Sequence, residues 1–387
     1  MVDLPSSQMA VQDQDSPIRG DILEAILSHA PLTDVVPATH VSKAWRRAVI
    51  SSPPLLNRLE PWLLLHHTRN NTTATATTTH AYDSRSHLWI ETKLHPPSVD
   101  CNSNTTVLRS SHSNLLYTLS PSKLSFSFDP LHLTWHHADG PTVWRANPVV
   151  ALVGRRLVVA GGGCDFDDDQ LAVEAYDIDS RVWTTLESMP AGLKDSASST
   201  WLSTAVFHNR ILFVTEKQSG VTHAFDPEIN VWCGPYDLRP DPSVFSVTIT
   251  CFDDRLIAVG LIGEAENVEG VRVWGVKNCA SFECELIGEM PSALVEKLRS
   301  GSYWVSSVGV CMAGNVLYIY NQATVEEIFT CEFVGNGGGC RWESVRNVRS
   351  AMERVVFTSS EVGIGEVHKG LAAETRRFTA ELTQVDK

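Results

Sequence analysis

The fold is decided by residues 148–186, PVVALVGRRLVVAGGGCDFDDDQLAVEAYDIDSRVWTTL. Short apolar runs alternate here with clusters of Gly, Asp and Ser, a pattern typical of strands and turns. Two apolar runs come first, then a glycine pair, then Tyr176-Asp177, and finally a run that opens with Trp183. We interpret this order as four antiparallel strands joined by short connections.

The end of this stretch, an aromatic residue followed by Asp and then by Trp after five further residues, occurs four times. Successive Trp residues lie 46, 48 and 49 residues apart. A fixed period of this size predicts a repeat architecture, in which one large ring per unit fills the wedge between neighbouring sheets. We therefore predict structural roles for Gly161 and Gly162 and for these positions: Tyr82, Asp83 and Trp89; Phe128, Asp129 and Trp135; Tyr176, Asp177 and Trp183; Phe225, Asp226 and Trp232.

Two fainter units, within 256–287 and 303–345, bring the total to six over residues 62–362. The first unit lacks a strand ahead of it, whereas an extra strand, 355–361, follows the sixth. We predict that this late strand completes the first unit and closes a ring, because closure removes the exposed edges of an open sheet.

The chain before residue 61 has a different pattern. Residues 1–16 are polar and are predicted to be disordered. Ile22, Leu23, Ile26 and Leu27 follow helical spacing, and two more short helices precede Pro53-Pro54. A helical unit this small is marginal alone, so its apolar stripe predicts a partner.

Residues 16–53, SPIRGDILEAILSHAPLTDVVPATHVSKAWRRAVISSP, resemble an F-box, although Ser16 stands where that family usually has Leu. The six units resemble kelch repeats. The chain thus resembles a plant-type F-box/kelch-repeat protein, which implies a mainly β fold: a six-bladed kelch-type β-propeller preceded by a small all-α F-box head. The expected domains are 1–16, 17–60 for the head, 61–362 for the propeller and 363–387 for a C-terminal tail.

The resemblance implies a non-catalytic substrate-recognition adaptor of a Skp1–cullin–F-box (SCF) E3 ubiquitin ligase. The head would bind a Skp1-type adaptor, and through it the cullin/RING machinery, while the propeller would bind a protein substrate for proteasomal degradation. Some family members select enzymes of phenylpropanoid or flavonoid synthesis, and such an enzyme is one candidate target. The residues expected to contact the adaptor are Pro17, Ile18, Ile22, Leu23, Ile26, Leu32 and Val35.

Composition and charge exclude several other classes of protein. A net charge of −14 argues against a nucleic-acid binder. No apolar run is long enough for a membrane span, and the N-terminus lacks the pattern of a secretory signal, so a cytoplasmic or nuclear location is expected. No metal or cofactor motif is present. The alternatives left open are a kelch scaffold that does not engage Skp1 and a propeller metallo-oxidase.

The target is expected to dock on long loops of the propeller. The candidates are Arg69–Thr79, Gly163–Gln170, Pro190–Ser199, Pro235–Ser243, Ile262–Gly270 and Pro291–Ser302.

Overall fold

The computed structural model describes residues 18, 20–30, 32–51, 61–71, 74–92, 107–164, 169–278, 282–300, 302–335, 339–348, 355–362, 378–382 and 385–386. The chain divides into two compact units. One comprises Met1–Leu59 with Val362–Ala373, and the other comprises Glu60–Glu361 with Glu374–Lys387. The stretch that the sequence assigned to a C-terminal tail is therefore shared between the two units. Residues 1–16, which the sequence predicts to be disordered, lie outside the described residues.

The first unit contains three short helices, α1 (Asp21–His29), α2 (Leu32–Ala38) and α3 (Lys43–Ser51). Asp21 and Glu24 in the first turn of α1 complement the helix dipole. The core of this unit is small and consists of Leu23, Leu27, Val35, Ala38 and Val49.

The second unit is a six-bladed β-propeller. Its strands, in chain order, are β1 Trp62–Asn71, β2 Ala74–Asp83, β3 Leu88–Thr92, β4 Leu116–Ser120, β5 Lys123–Ser127, β6 His136–Asp139, β7 Val149–Val153, β8 Arg156–Ala160, β9 Val173–Asp177, β10 Trp183–Leu186, β11 Leu202–Phe207, β12 Ile211–Glu216, β13 Val221–Asp226, β14 Val231–Asp237, β15 Val244–Phe252, β16 Arg255–Glu264, β17 Asn267–Asn278, β18 Glu283–Glu289, β19 Val308–Ala313, β20 Val316–Asn321, β21 Glu327–Phe333, β22 Cys340–Arg346, β23 Val355–Ser360, β24 Phe378–Leu382 and β25 Val385–Asp386. A 3-10 helix, Ala191–Ser196, and a helix, α4 (Ser292–Ser300), lie between strands.

Each blade is one antiparallel sheet. The sheets are β23-β1-β2-β3-β24 (blade 1), β4-β5-β6 (blade 2), β7-β8-β9-β10 (blade 3), β11-β12-β13-β14 (blade 4), β15-β16-β17-β18 (blade 5) and β19-β20-β21-β22-β25 (blade 6). Strands such as β8, with four consecutive buried residues, read as continuous apolar runs because neighbouring blades cover both faces of the sheet.

The late strand β23 pairs antiparallel with β1, with Leu65 opposite Phe357. This pairing supplies blade 1 with its innermost strand, and it is the ring closure that the sequence predicts. Two further strands, β24 and β25, lie in the stretch expected to be a tail; they pair with β3 and β22.

Three of the four repeated Trp residues hold equivalent places. Trp89, Trp183 and Trp232 lie opposite Tyr82, Tyr176 and Phe225, with ring centroids 5.2, 5.4 and 4.5 Å apart. In each case the indole N–H donates to a carbonyl of the preceding blade, at the end of β22 or β6 or one residue beyond β10. The acceptors are Arg346 O at 3.1 Å, Asp139 O at 3.1 Å and Glu187 O at 3.0 Å.

Blade 2 departs from the predicted repeat. Phe126, not Phe128, pairs with β6, where its cross-strand partner is His136, whose ring stacks on it at 5.5 Å. The connection is three residues longer than in blade 3, which displaces Phe128, Asp129 and Trp135 from the equivalent positions. Trp135 packs instead against Leu108, Leu116 and Leu133. The prediction that Phe128 and Trp135 pair across the sheet as in the other units is therefore wrong. Asp129 keeps the role of its counterparts, because it accepts from His132 N at 3.1 Å as Asp177 accepts from Ser180 N at 2.8 Å.

Candidate functional site

Helix α1 of the first unit carries two kinds of apolar residue. Leu23 and Leu27 are buried in the helical core, while Ile22 and Ile26 are 68% and 47% exposed, and Ile18 ahead of the helix is also exposed. Ile22 and Ile26 lie four residues apart on α1, so the helix presents an apolar stripe to solvent. A stripe of this kind is suited to docking in a groove of another protein.

The predicted adaptor contacts divide accordingly. Ile18, Ile22 and Ile26 are exposed, whereas Leu23 and Val35 are 1% and 0% exposed. Leu23 and Val35 are therefore not surface residues, because both lie in the core that holds the three helices together. Pro17 and the side chain of Leu32 lie outside the described residues.

The two faces of the propeller differ. In an antiparallel blade the connections alternate between its two ends. We call the plain face the one with the links from first to second and from third to fourth strand. Many of these links are tight turns, such as Gly154-Arg155 and Gly314-Asn315. The elaborated face carries the links from second to third strand and the links between blades.

All six predicted docking loops belong to the elaborated face, but several are not loops. Strands β1 and β2 extend through most of Arg69–Thr79, and β16 and β17 form a hairpin across Ile262–Gly270. Pro235–Ser243 begins in β14, Pro190–Ser199 contains the 3-10 helix, and Pro291–Ser302 contains α4. The sequence missed α4 because the helix is short, although Val295 and Leu298 three residues apart gave a weak signal.

Large aromatic side chains are exposed on the elaborated face. Trp144, Trp201 and Trp304 are 38%, 49% and 57% exposed, and Tyr303 is fully exposed. All four lie in links between blades. Trp and Tyr are the residues that most often anchor protein interfaces, so this face has the chemistry of a docking surface.

The link that carries Trp144 is held rigidly from below. Arg145 is buried and donates to Glu174 at 2.9 Å and to the carbonyls of Gly161 at 2.9 Å and Ala172 at 2.6 Å. The backbone N–H groups of Thr142 and Val143 donate to the same carboxylate at 2.8 and 3.2 Å. Burial raises the pKa of Glu174, but these donors outweigh burial and leave the pKa below its usual value. A braced link loses little conformational freedom when a partner binds.

A similar brace supports Tyr303 and Trp304. Val295 and Leu298 of α4 and Val305 after it pack into the core between blades 5 and 6. The two exposed rings therefore project from a segment that is fixed at both ends.

No group of three or more His, Cys, Asp and Glu side chains able to hold a metal occurs within the described ranges. In the same ranges no helix is long and apolar enough to cross a bilayer. Four Asp residues occur within 165–169. Asp165, Asp167 and Asp168 lie outside the described residues, and Asp169 accepts hydrogen bonds from Leu171 N at 2.9 Å and from Ser188 Oγ at 2.6 Å.

Comparison with known proteins gives one extensive match. The chain is 43% identical over 372 residues to an F-box/kelch-repeat protein of Arabidopsis thaliana, covering 92% of each chain. A second Arabidopsis F-box/kelch-repeat protein is 36% identical over 67 residues, which is 17% of this chain and 16% of that protein. No family model matches the sequence.

Solved structures align more loosely. A chain of the nidogen/laminin complex covers 77% of this chain and 98% of its own length, at 12% identity and a TM-score of 0.45. An alignment this loose says nothing about function.

Proposed function

Because the chain belongs to the F-box/kelch-repeat family, we propose that it selects target proteins for a Skp1–cullin–F-box ubiquitin ligase. The helical unit binds a Skp1-type adaptor, and the propeller binds the target. The chain itself makes and breaks no covalent bond; its contribution is to hold the target beside the ubiquitin-charged enzyme, where proximity and orientation accelerate transfer.

The observation that carries the adaptor role is the exposed stripe of Ile22 and Ile26 on α1, together with the exposed Ile18 ahead of the helix. Fully burying one isoleucine side chain against a partner contributes about 1.5–3 kcal/mol. Two such residues account for several kcal/mol of affinity, and an aspartate in their place would bring a charge into an apolar groove.

The test is a binding assay between the purified full chain and a Skp1-type adaptor. We expect Ile22→Asp with Ile26→Asp to weaken binding by about 100-fold or more, since 1.4 kcal/mol corresponds to a factor of ten. The matched control is Ile229→Asp with Leu286→Asp, which changes two equally exposed apolar residues of the propeller. Circular dichroism checks that both variants fold.

Adaptor binding by the head variant at wild-type affinity would contradict the proposal. It would leave the alternative of a kelch scaffold that does not engage Skp1. Because Leu23 and Leu27 are unchanged in the variant, a loss of binding with an unchanged melting temperature reports on the surface stripe rather than on the core.

We assign target docking to the elaborated face, on the support of its braced aromatic rings. A target belonging to phenylpropanoid or flavonoid synthesis remains one candidate within this proposal. Proteins that accumulate on the full chain when the cullin is inhibited can be compared between wild type and Tyr303→Ala with Trp304→Ala. We expect targets to be lost from this variant and retained by Val182→Ala with Ile229→Ala on the plain face. The opposite pattern would place docking on the plain face.

A further inference from the structure

An axial cavity of about 720 Å³ lies among the innermost strands of the propeller. Its wall is formed by β7, β11, β15, β19 and β23. Pockets for small molecules are typically about 300–1,000 Å³, so this cavity has the size of a ligand site.

The place of an inner strand in blade 2 is taken by a short segment that lies in this cavity. An antiparallel bridge joins Arg109 to Tyr117, and the chain then continues as Ser111–Ser113. This segment bonds the inner strands of four other blades. The contacts are Val150 N to Ser111 Oγ at 3.3 Å, Leu152 N to His112 Nε2 at 3.1 Å, Thr204 Oγ1 to Ser111 O at 3.3 Å, Met312 N to Ser113 Oγ at 2.9 Å and Ser359 N to Ser113 O at 2.5 Å. The wall of the cavity is therefore fixed from within.

Lys217 lies where the cavity meets the elaborated face, in the link between β12 and β13. The residue borders the cavity although it is only 7% exposed. The ammonium donates to Thr200 O at 2.9 Å and to Ser199 O at 3.5 Å. Both acceptors are neutral carbonyls, so its charge is not balanced by either of them. Loss of water through burial lowers the pKa of Lys217 to about 8.

The charge in the cavity contrasts with that of the whole chain. The chain has a net charge of −14, yet no Asp or Glu is found among the described residues that line the cavity. Its charged side chains are Arg109 and Lys217. His112 is neutral, because burial lowers its pKa to about 4.

We propose that this axial cavity binds a small organic carboxylate through the ammonium of Lys217. One buried cation is matched by a ligand with a single negative charge. Burial removes water from the ammonium, and a bound anion would compensate for that loss through its opposite charge. The partly exposed apolar residues Val206, Val310 and Val356 also line the cavity, so an apolar ligand body can pack against its wall. The site does not depend on the ligase role.

A long acidic peptide fits the same cation less well. Glu264, Glu266 and Glu296 are exposed on the elaborated face, and they repel a polyanion that approaches the cavity. A compact monoanion carries less charge past these carboxylates.

Benzoate and its neutral isostere benzamide are the probes, and titration calorimetry on the full chain is the measurement. We expect saturable binding of benzoate and at least tenfold weaker binding of benzamide. Lys217→Met should weaken benzoate binding at least tenfold, while Lys194→Met, at an exposed lysine of the same face, should change it less than twofold.

A pH series on wild type gives a second measurement if Lys217→Met does not fold. With a free-state pKa of about 8, the charged fraction falls about tenfold between pH 7 and pH 9, and the affinity for benzoate should fall with it. Cys251, Tyr117 and Tyr320 also face the cavity. Repeating the series on Cys251→Ser shows whether the pH dependence persists without the thiol that lines the cavity.

The proposal is overturned if benzoate does not bind saturably, if benzamide binds as tightly, or if a folded Lys217→Met protein keeps wild-type affinity. Tighter binding of inorganic phosphate than of benzoate would also overturn it, because the cavity would then prefer a multiply charged inorganic anion to an organic carboxylate.

Discussion

Replacing Trp89 by alanine is expected to destabilise the propeller more than replacing any other Trp of the repeat. The indole is 1% exposed and packs against Tyr82 within the cluster of residues shared by blades 1 and 6. Its N–H donates to Arg346 O at 3.1 Å, across the point where the ring closes.

The magnitude follows from these contacts. Removing a fully buried Trp typically costs about 3–5 kcal/mol. Trp89→Phe keeps a ring but loses the part-buried hydrogen bond to Arg346 O, which should cost about 1 kcal/mol. Trp135→Ala is the internal comparison, because this residue is only half-buried and lies outside the repeated positions; we expect about 1–2 kcal/mol, a value near the average for point substitutions.

Urea unfolding followed by Trp fluorescence and far-UV circular dichroism measures all three variants. Coincidence of the two signals checks that the transition is two-state, which a chain of this size need not satisfy. Equal destabilisation by Trp89→Ala and Trp135→Ala would refute the inference that blade 2 departs from the repeat, since both rings would then have the same structural weight.

Two further predictions concern the interior of the propeller. Burial and the neighbouring His67 lower the pKa of His66 to about 3, and burial lowers the pKa of His112 to about 4. Unfolding restores pKa values near 6.5. The stability that each neutral ring contributes is therefore complete above pH 6.5, and it is lost as the pH falls towards the folded-state pKa. At pH 5 each histidine should have lowered the free energy of unfolding by about 2 kcal/mol. Urea midpoints measured from pH 7.5 to 5 test this, with the exposed His208→Asn as the control. An unchanged dependence of the midpoint on pH in His66→Asn would contradict it. Gly162→Ala should destabilise the protein by more than 1 kcal/mol, because φ is +71° and the added Cβ would lie 2.6 Å from Ala146 O; Gly192→Ala, where nothing lies within 4 Å, is its matched control in thermal melts.

The helical head shows how far local spacing carries the interpretation. The sequence predicts three helices and an apolar stripe, and the structure has α1, α2 and α3. Spacing could not separate the exposed Ile22 from the buried Leu23, because adjacent apolar residues both fit one broad stripe. Only the packing of α1 on the other two helices decides which of them remains on the surface.

The same limit applies to the repeat in blade 2. Phe128, Asp129 and Trp135 match the sequence pattern in every residue, yet the hydrogen-bonded register selects Phe126 and His136. The register is set by pairing across the sheet and by the residues that neighbouring blades bury. Neither can be read from a motif of eight residues.

The sequence by itself determined the fold class, the number of units, the ring closure by a late strand and the presence of a separate helical head. These follow from local periodicity and from a repeat that each blade must satisfy to bury its own faces. Only the tertiary structure decided which face gathers the long connections, which aromatic rings remain exposed, and that Lys217 and Ser111–Ser113 meet in one axial cavity. The physical reason is that those features join residues from different blades, and the distances between blades are fixed by closure of the whole ring rather than by any single segment.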